Sequence, residues 1–216
     1  MKKLLNKIEK KPLLISIGLV VFQTILFFFL KVIEGPPHLI GDFIDEKIPF
    51  INYFIIPYCI WYVLIFAIPY YFYKKDKDLL AKYIVSYVVC VLIAVVIFLA
   101  YPTTVVRPEN LSNKNILNFV TNVIYFFDTP AVNCFPSLHC AISMLFILTI
   151  TSSTFTKLSN KLLIIFISVL IMASTLYTKQ HVFIDLVGGD ILMIFVYTTF
   201  SKNKKLLNKT KKLLKL

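Results

Sequence analysis

In the stretch STLYTKQHVFIDLVGGD, residues 174–190, His181 and Asp185 stand four positions apart, Asp190 follows, and apolar residues flank them all. Ionisable groups are costly in hydrocarbon and are kept where they work or are paired. The i, i+4 spacing predicts that His181 and Asp185 share one helical face, with the carboxylate a turn below the imidazole. Asp185 then accepts from Nδ1–H and leaves Nε2 unprotonated, an arrangement that prepares a nucleophile or a base. A buried polar pair that ties two helices together would use the same residues. A metal site would need a third His or Cys at a suitable spacing. None stands nearby, so neither a metal nor a cofactor is expected.

Two further positions have chemistry of their own. Of 23 basic residues, Arg107 is the sole arginine. A guanidinium grips phosphate through a planar fork that an ammonium cannot copy; the competing reading is an incidental loop cation. In FFDTPAVNCFPSLHC, Pro136 is suited to open a helix and leaves Ser137 and His139 in its first turn. Free N–H groups and the helix dipole attract anions there. The Ser137 hydroxyl either caps the helix or bonds a phosphate oxygen, and His139 is either interfacial or reactive. The chain has only three histidines.

The elements that must position these groups are membrane spans. The chain is 58% hydrophobic, with a mean hydropathy of +0.80 and 16% charged residues, too apolar for an ordinary soluble domain. Apolar runs near 13–33, 51–73, 79–99, 131–150, 162–178 and 182–200 predict six helices. With the N-terminus inside, eighteen basic residues fall on inner segments. Only Lys31, Lys47, Arg107, Lys114 and Lys179 fall outside. The positive-inside rule then predicts cytoplasmic N and C termini. The net charge of +12 is therefore topological, and neither a soluble nucleic-acid binder nor a nucleic-acid partner is expected.

The expected organisation is a basic cytoplasmic N-terminus at 1–12, a membrane domain at 13–200 and a basic amphipathic cytoplasmic tail at 201–216. The tail either lies on the anionic inner leaflet or is a solvated terminus. The first run is long and lacks a small-x-small cleavage site, so it reads as a retained anchor. Cys59, Cys90 and Cys140 fall in or beside membrane runs and Cys134 in a loop, which is no disulfide framework. This topology gathers Arg107, Ser137, His139 and His181 at the outer boundary. Asp42, Asp45 and Glu46 either shape the site entrance or form a solvated acidic loop, Asp128 and Asn133 either contact a headgroup or form turns, and His38 reads as a loop residue. Asp190 either buttresses the site or pairs with a tyrosine.

Arg107-Pro108, Pro136-Ser137-Leu138-His139, and His181 with Asp185 resemble, in order, the three motifs of the type 2 phosphatidic acid phosphatase superfamily. The resemblance covers about residues 40 to 195. Ala100 stands where that pattern has lysine, Leu138 where it has glycine and Thr175 where it has arginine. Lys179 is available as a replacement cation. With these departures the chain looks more like the branch that includes inositol phosphorylceramide and sphingomyelin synthases.

The resemblance implies a six-helix membrane core with its active site on the extracytoplasmic side of the cell membrane, acting metal-independently on a lipid phosphate among the membrane lipids. It implies His181 as nucleophile, oriented by Asp185 and passing through a phosphohistidine. It also implies His139 as general acid, and Arg107 and Ser137 on the phosphoryl oxygens. Water as acceptor would make the chain a phosphatase, and an alcohol a phosphotransferase. The two missing cations are the support for a third reading, a non-catalytic lipid-binding or transport protein of the same fold, and the intact set of Arg107, His139, His181 and Asp185 stands against it. Arg107→Lys is expected to lower phosphate-ester turnover by about tenfold or more although charge is kept, because the fork is lost. Near-normal turnover of that variant would remove the argument from the lone arginine.

Overall fold

The computed structural model describes residues 10–33, 35–108, 111–112 and 115–216. Lys2, Lys3, Lys7 and Lys114 lie outside the described residues, as does most of the basic N-terminal segment. In chain order the elements are α1 (Lys10–Ile33), β1 (His38–Leu39), α2 (Phe43–Lys47), a 3₁₀ turn (Asn52–Phe54), α3 (Ile55–Lys75), α4 (Lys77–Ala100), β2 (Thr103–Thr104), α5 (Ile116–Phe127), α6 (Leu138–Ser152), α7 (Leu158–Tyr177), α8 (Phe183–Phe200) and α9 (Lys204–Leu214).

Five helices, α1, α3, α4, α7 and α8, are long and apolar enough to cross a membrane. They turn Leu14, Val21, Phe29, Val63, Phe166 and Phe195 outward, as lipid-facing helices do. The sixth expected span differs. The sequence reading placed it at 131–150, whereas α6 has 15 residues and is about 22 Å long. Pro136 has no N–H to continue a helix backwards, and Ser137 is the N-cap, so residues 131–137 form a loop. Its short length is tolerated because α6 packs on α4, α7 and α8. Cys140, Ala141, Ile142, Leu145 and Phe146 are fully buried. A helix enclosed by protein need not hide its ends from lipid by length alone.

The core runs along α6. Phe146 stacks on Tyr83 of α4 at 6.4 Å, and Tyr83 contacts Phe72 of α3 and Tyr87 of α4. At one end of the bundle α9 packs on α4, with Lys211 paired to Asp78 at 2.7 Å. There Lys11 donates to the Lys215 carbonyl at 2.6 Å, so the basic segments of α1, the α3–α4 turn and α9 share that end.

The opposite end carries the connections that matter for chemistry. The connection between α4 and α6 is structured. β2 pairs in parallel with β1, His38 opposite Thr103 and Leu39 opposite Thr104. The Thr104 hydroxyl donates to the Ala131 carbonyl at 2.6 Å, and the Thr103 hydroxyl accepts from Phe135 N–H at 2.8 Å. Arg107, three residues beyond β2, is thereby tied to the turn that starts α6. α5 packs on α3 and on the 3₁₀ turn, where Asn52 donates to Asn118 at 3.0 Å.

The closest helix approach lies between α8 and the turn before α6. A Cβ on Gly189 would stand 2.3 Å from the Ser137 carbonyl oxygen, and one on Gly188 2.4 Å from the Phe135 ring. The glycine pair lets α8 reach that backbone. Gly189→Ala is expected to destabilise by about 1–3 kcal/mol, the usual cost of overpacking. Gly18→Ala, with nothing within 4 Å, should cause no such loss. Thermal unfolding in detergent compares the two.

Candidate active site

Ser137 fixes one side of the site. Its hydroxyl accepts from Cys140 N–H at 3.3 Å and its own N–H donates to the Asp185 carbonyl at 3.1 Å. The side chain is fully buried, and its oxygen caps the start of α6. Two residues on, the His139 ring stacks on Tyr58 at 4.8 Å and leans on Trp61 at 4.4 Å, both from α3. Among the described residues, the buried His139 Nε2 has no hydrogen-bond partner. Its ring centre is 6.1 Å from that of His181.

His181 and Asp185 do meet, through a different local geometry from the one expected. α8 begins at Phe183 and Val182 is extended at its N-cap, so His181 precedes the helix rather than lying on its face. Asp185 folds back over the helix start. Its Oδ2 is 3.1 Å from His181 Nδ1 and accepts from Val182 N–H at 3.2 Å. A carboxylate acting as acceptor leaves Nδ1 as the protonated nitrogen and Nε2 with its lone pair. Asp185 is fully buried. His181 N–H and Gln180 N–H both donate to the Thr175 carbonyl, at 3.1 and 2.9 Å.

Thr175, where the resembled pattern has arginine, is sealed in: it is fully buried and its hydroxyl donates to the Met172 carbonyl at 2.7 Å. Ala100 ends α4 on an exposed surface. Lys179 has a positive φ of 53° and donates to the Asp45 carbonyl at 2.8 Å. Among the described residues, Asp190 Oδ1 is buried without a hydrogen-bond partner.

Two residues carry more than the sequence reading assigned them. Asp45 is no freely solvated acid, because its Oδ1 accepts from Phe183 N–H at 2.7 Å and holds the first residue of α8. Asp128, read as a turn residue, ends α5 and accepts the Arg107 Nη2 hydrogen bond on its carboxylate. Its carbonyl accepts from Nη1 at 3.3 Å. Tyr125 supports the same guanidinium from 5.0 Å and donates through its hydroxyl to the Thr178 carbonyl at 2.5 Å. Burial pushes the Tyr125 phenol up to about 12, so it stays protonated and able to donate. The only sequence signal for these contacts is the amphipathic pattern of 116–127 ending in Asp128.

Two cavities meet here. The first, about 640 Å³, has Arg107, Asp128, Asn133, His139, Gln180 and His181 among its polar walls. Phe27 and Phe28 of α1, Tyr62 of α3, Phe119 and Val123 of α5 and Phe98 of α4 belong to its apolar body. An apolar chamber with a few convergent polar groups is the usual form of a small-molecule site. The second, about 590 Å³, is bordered by Asp42, Asp45, Glu46 and Lys179 and shares Arg107 and His181 with the first. The structure thus brings Arg107, His139 and His181 to one chamber. It buries Ser137 and Asp185 behind them and leaves Lys179 on the outer cavity.

A family model described as the PAP2 superfamily matches residues 35–199. Searches of curated proteins and of solved structures give no match.

The Asp185 contact makes a prediction independent of any substrate. His181 is expected to react with diethyl pyrocarbonate, and Asp185→Asn should slow that reaction several-fold by disturbing the tautomer. Peptide mass spectrometry over a time course measures it, and equal rates would show that Asp185 does not orient the ring.

Proposed function

The chain belongs to the PAP2 superfamily, and from that premise we propose that it is a membrane lipid phosphatase acting through a phosphohistidine on a lipid phosphate ester or diphosphate. The observation that carries the reading is the pair of histidines at one chamber. One is oriented by a buried carboxylate, the other has an unpartnered nitrogen, and their ring centres are 6.1 Å apart. Both histidines border the chamber that Arg107 also borders, which at about 640 Å³ has room for a phosphate group.

His181 Nε2 attacks phosphorus while Nδ1–H stays on Asp185. The P–O bond to the lipid breaks, and His139 in its protonated form gives its proton to the departing oxygen. Arg107 holds the phosphoryl oxygens, whose charge is the main thing a protein stabilises in phosphoryl transfer. Water then attacks the phosphohistidine, with His139 taking its proton, and phosphate and free His181 result. The apolar body of the chamber takes the lipid. A second reading, transfer to an alcohol acceptor, draws support from the outer cavity, which reaches the same His181 and Arg107 from another side.

In this reading α6 joins the five long helices as a sixth span, giving a multi-pass protein of the cell membrane. Its lysine-rich end is cytoplasmic and its site extracytoplasmic. The convergence of Lys11, the α3–α4 turn and α9 at the end away from His181 supports that orientation. α9 presents its exposed lysines to the anionic leaflet.

The test is phosphate release by the purified protein in detergent from a panel of lipid monophosphates and diphosphates, with EDTA present and His181→Ala alongside. Release is expected in chelator and should fall to background in the variant. Release that survives His181→Ala, or that stops in EDTA, would overturn the histidine mechanism. Headgroup transfer to an added alcohol without phosphate release would favour the second reading.

A further inference from the structure

His181 is oriented by its contact with Asp185, whereas the buried His139 Nε2 has no hydrogen-bond partner among the described residues. The His139 ring is held by other rings. It lies on Tyr58 at 4.8 Å with 29° between the planes and on Trp61 at 4.4 Å with 40°. Tyr62 stands nearly perpendicular to it, 6.3 Å away at 84°. Tyr58, Trp61 and Tyr62 are spaced i, i+3 and i+4, so one face of α3 supplies all three. Tyr58 and Trp61 are 2% and 4% exposed, and all three rings border the chamber with His139. The chain entering α3 is itself pinned at this end. Ile51 N–H donates to the Tyr177 carbonyl at 2.9 Å, and Phe54 stacks on the Tyr177 ring at 4.3 Å.

Rings so placed act on a histidine in two ways. The χ2 torsion of histidine has a broad, two-fold profile, so neighbours rather than rotamer preference set the plane of the ring. Tyr58 and Trp61 set it here, and with it the directions in which the ring nitrogens point. The second effect is electrostatic. A buried imidazolium is deprived of hydration. An aromatic face carries the negative part of the ring quadrupole, and it attracts a cation within about 6 Å of the ring centre, most strongly in tryptophan. Both stacking distances fall inside that range.

We propose that Tyr58 and Trp61 are positioning residues for the acid step: their ring faces fix the plane of the His139 imidazole and stabilise its protonated form until the proton passes to the departing oxygen. This rests on the phosphatase reading above. It places part of the machinery on α3, outside the three motifs, in residues that would otherwise read as membrane-span aromatics.

The experiment measures kcat and KM for phosphate release from the best lipid phosphate of the panel. The substrate is labelled with radioactive phosphorus, so that a loss of about 10⁴ on removing a general acid stays readable. Trp61→Leu, Trp61→Phe and Tyr58→Leu are each made in wild type and in His139→Ala. With His139 present, each leucine substitution is expected to lower kcat about tenfold with KM within about twofold, and Trp61→Phe, which keeps a ring face, to lower it only about two- to threefold. In the His139→Ala background none of them should lower kcat further, because residues that act through one group are not additive. Thermal unfolding in detergent identifies a leucine variant that fails to fold, and the Trp61→Phe pair then carries the comparison. Equal losses in both backgrounds, as ordinary packing would give, or a wild-type kcat in the leucine variants, overturns the proposal and leaves the phosphatase reading intact. A wild type that releases no phosphate from any lipid phosphate overturns both.

Discussion

The close approach of α8 to the turn before α6 is the constraint on which the site depends. Gly188 and Gly189 remove the two side chains that would otherwise meet Phe135 and the Ser137 carbonyl. With the backbones in contact, Ser137 N–H can donate to the Asp185 carbonyl. His139 and His181 stand on opposite sides of this contact, one just after Ser137 and the other just before α8. Their spacing therefore follows from a backbone junction rather than from flexible side chains, and a site built on packed helix ends holds its geometry better than one on loops.

Around that junction the outer connections act as one assembly. β1 and β2 join the first connection to the second, Asp45 fastens α2 to the start of α8, and Tyr125 fastens α5 to the Thr178 carbonyl. Each is a backbone hydrogen bond to a group that a helix end leaves unsatisfied, or a ladder bond between short strands. Such groups must find partners when buried. Satisfying them here also fixes Arg107, His181 and the wall of the chamber. Stability and the geometry of the candidate site thus draw on the same contacts at this end, whereas the opposite end is held by α9 and its pairing with Asp78.

Electrostatically, the site places its cations sparingly. Thr175 is packed into the core with no room for a guanidinium, and Lys179 is drawn to the Asp45 carbonyl on the outer cavity. Among the described residues that border the chamber, Arg107 is the one lysine or arginine, and Asp128, which it bonds, also lies 4.0 Å from Lys31 of α1. A mostly apolar chamber with a few convergent charges is the usual form of a site for a largely apolar small molecule.

The sequence by itself determined the membrane character, the apolar runs at five long helices, and the ordered residues Arg107, Ser137, His139, His181 and Asp185 with the family they resemble. These are local properties: hydropathy over about 20 residues, capping chemistry, and residue types at short spacings. Tertiary structure decided the rest. α6 is shorter than its apolar run because Pro136 and Ser137 start it late, and it survives because neighbours enclose it. His181 meets Asp185 across a helix start rather than along a helical face, since Val182 is extended. Asp45 and Asp128 gain their partners from contacts across 138 and 21 positions of chain, and no local pattern encodes a partner at such a separation. A helix face or a cap is written in neighbouring residues; which distant charge will stand beside it is set only when the helices pack.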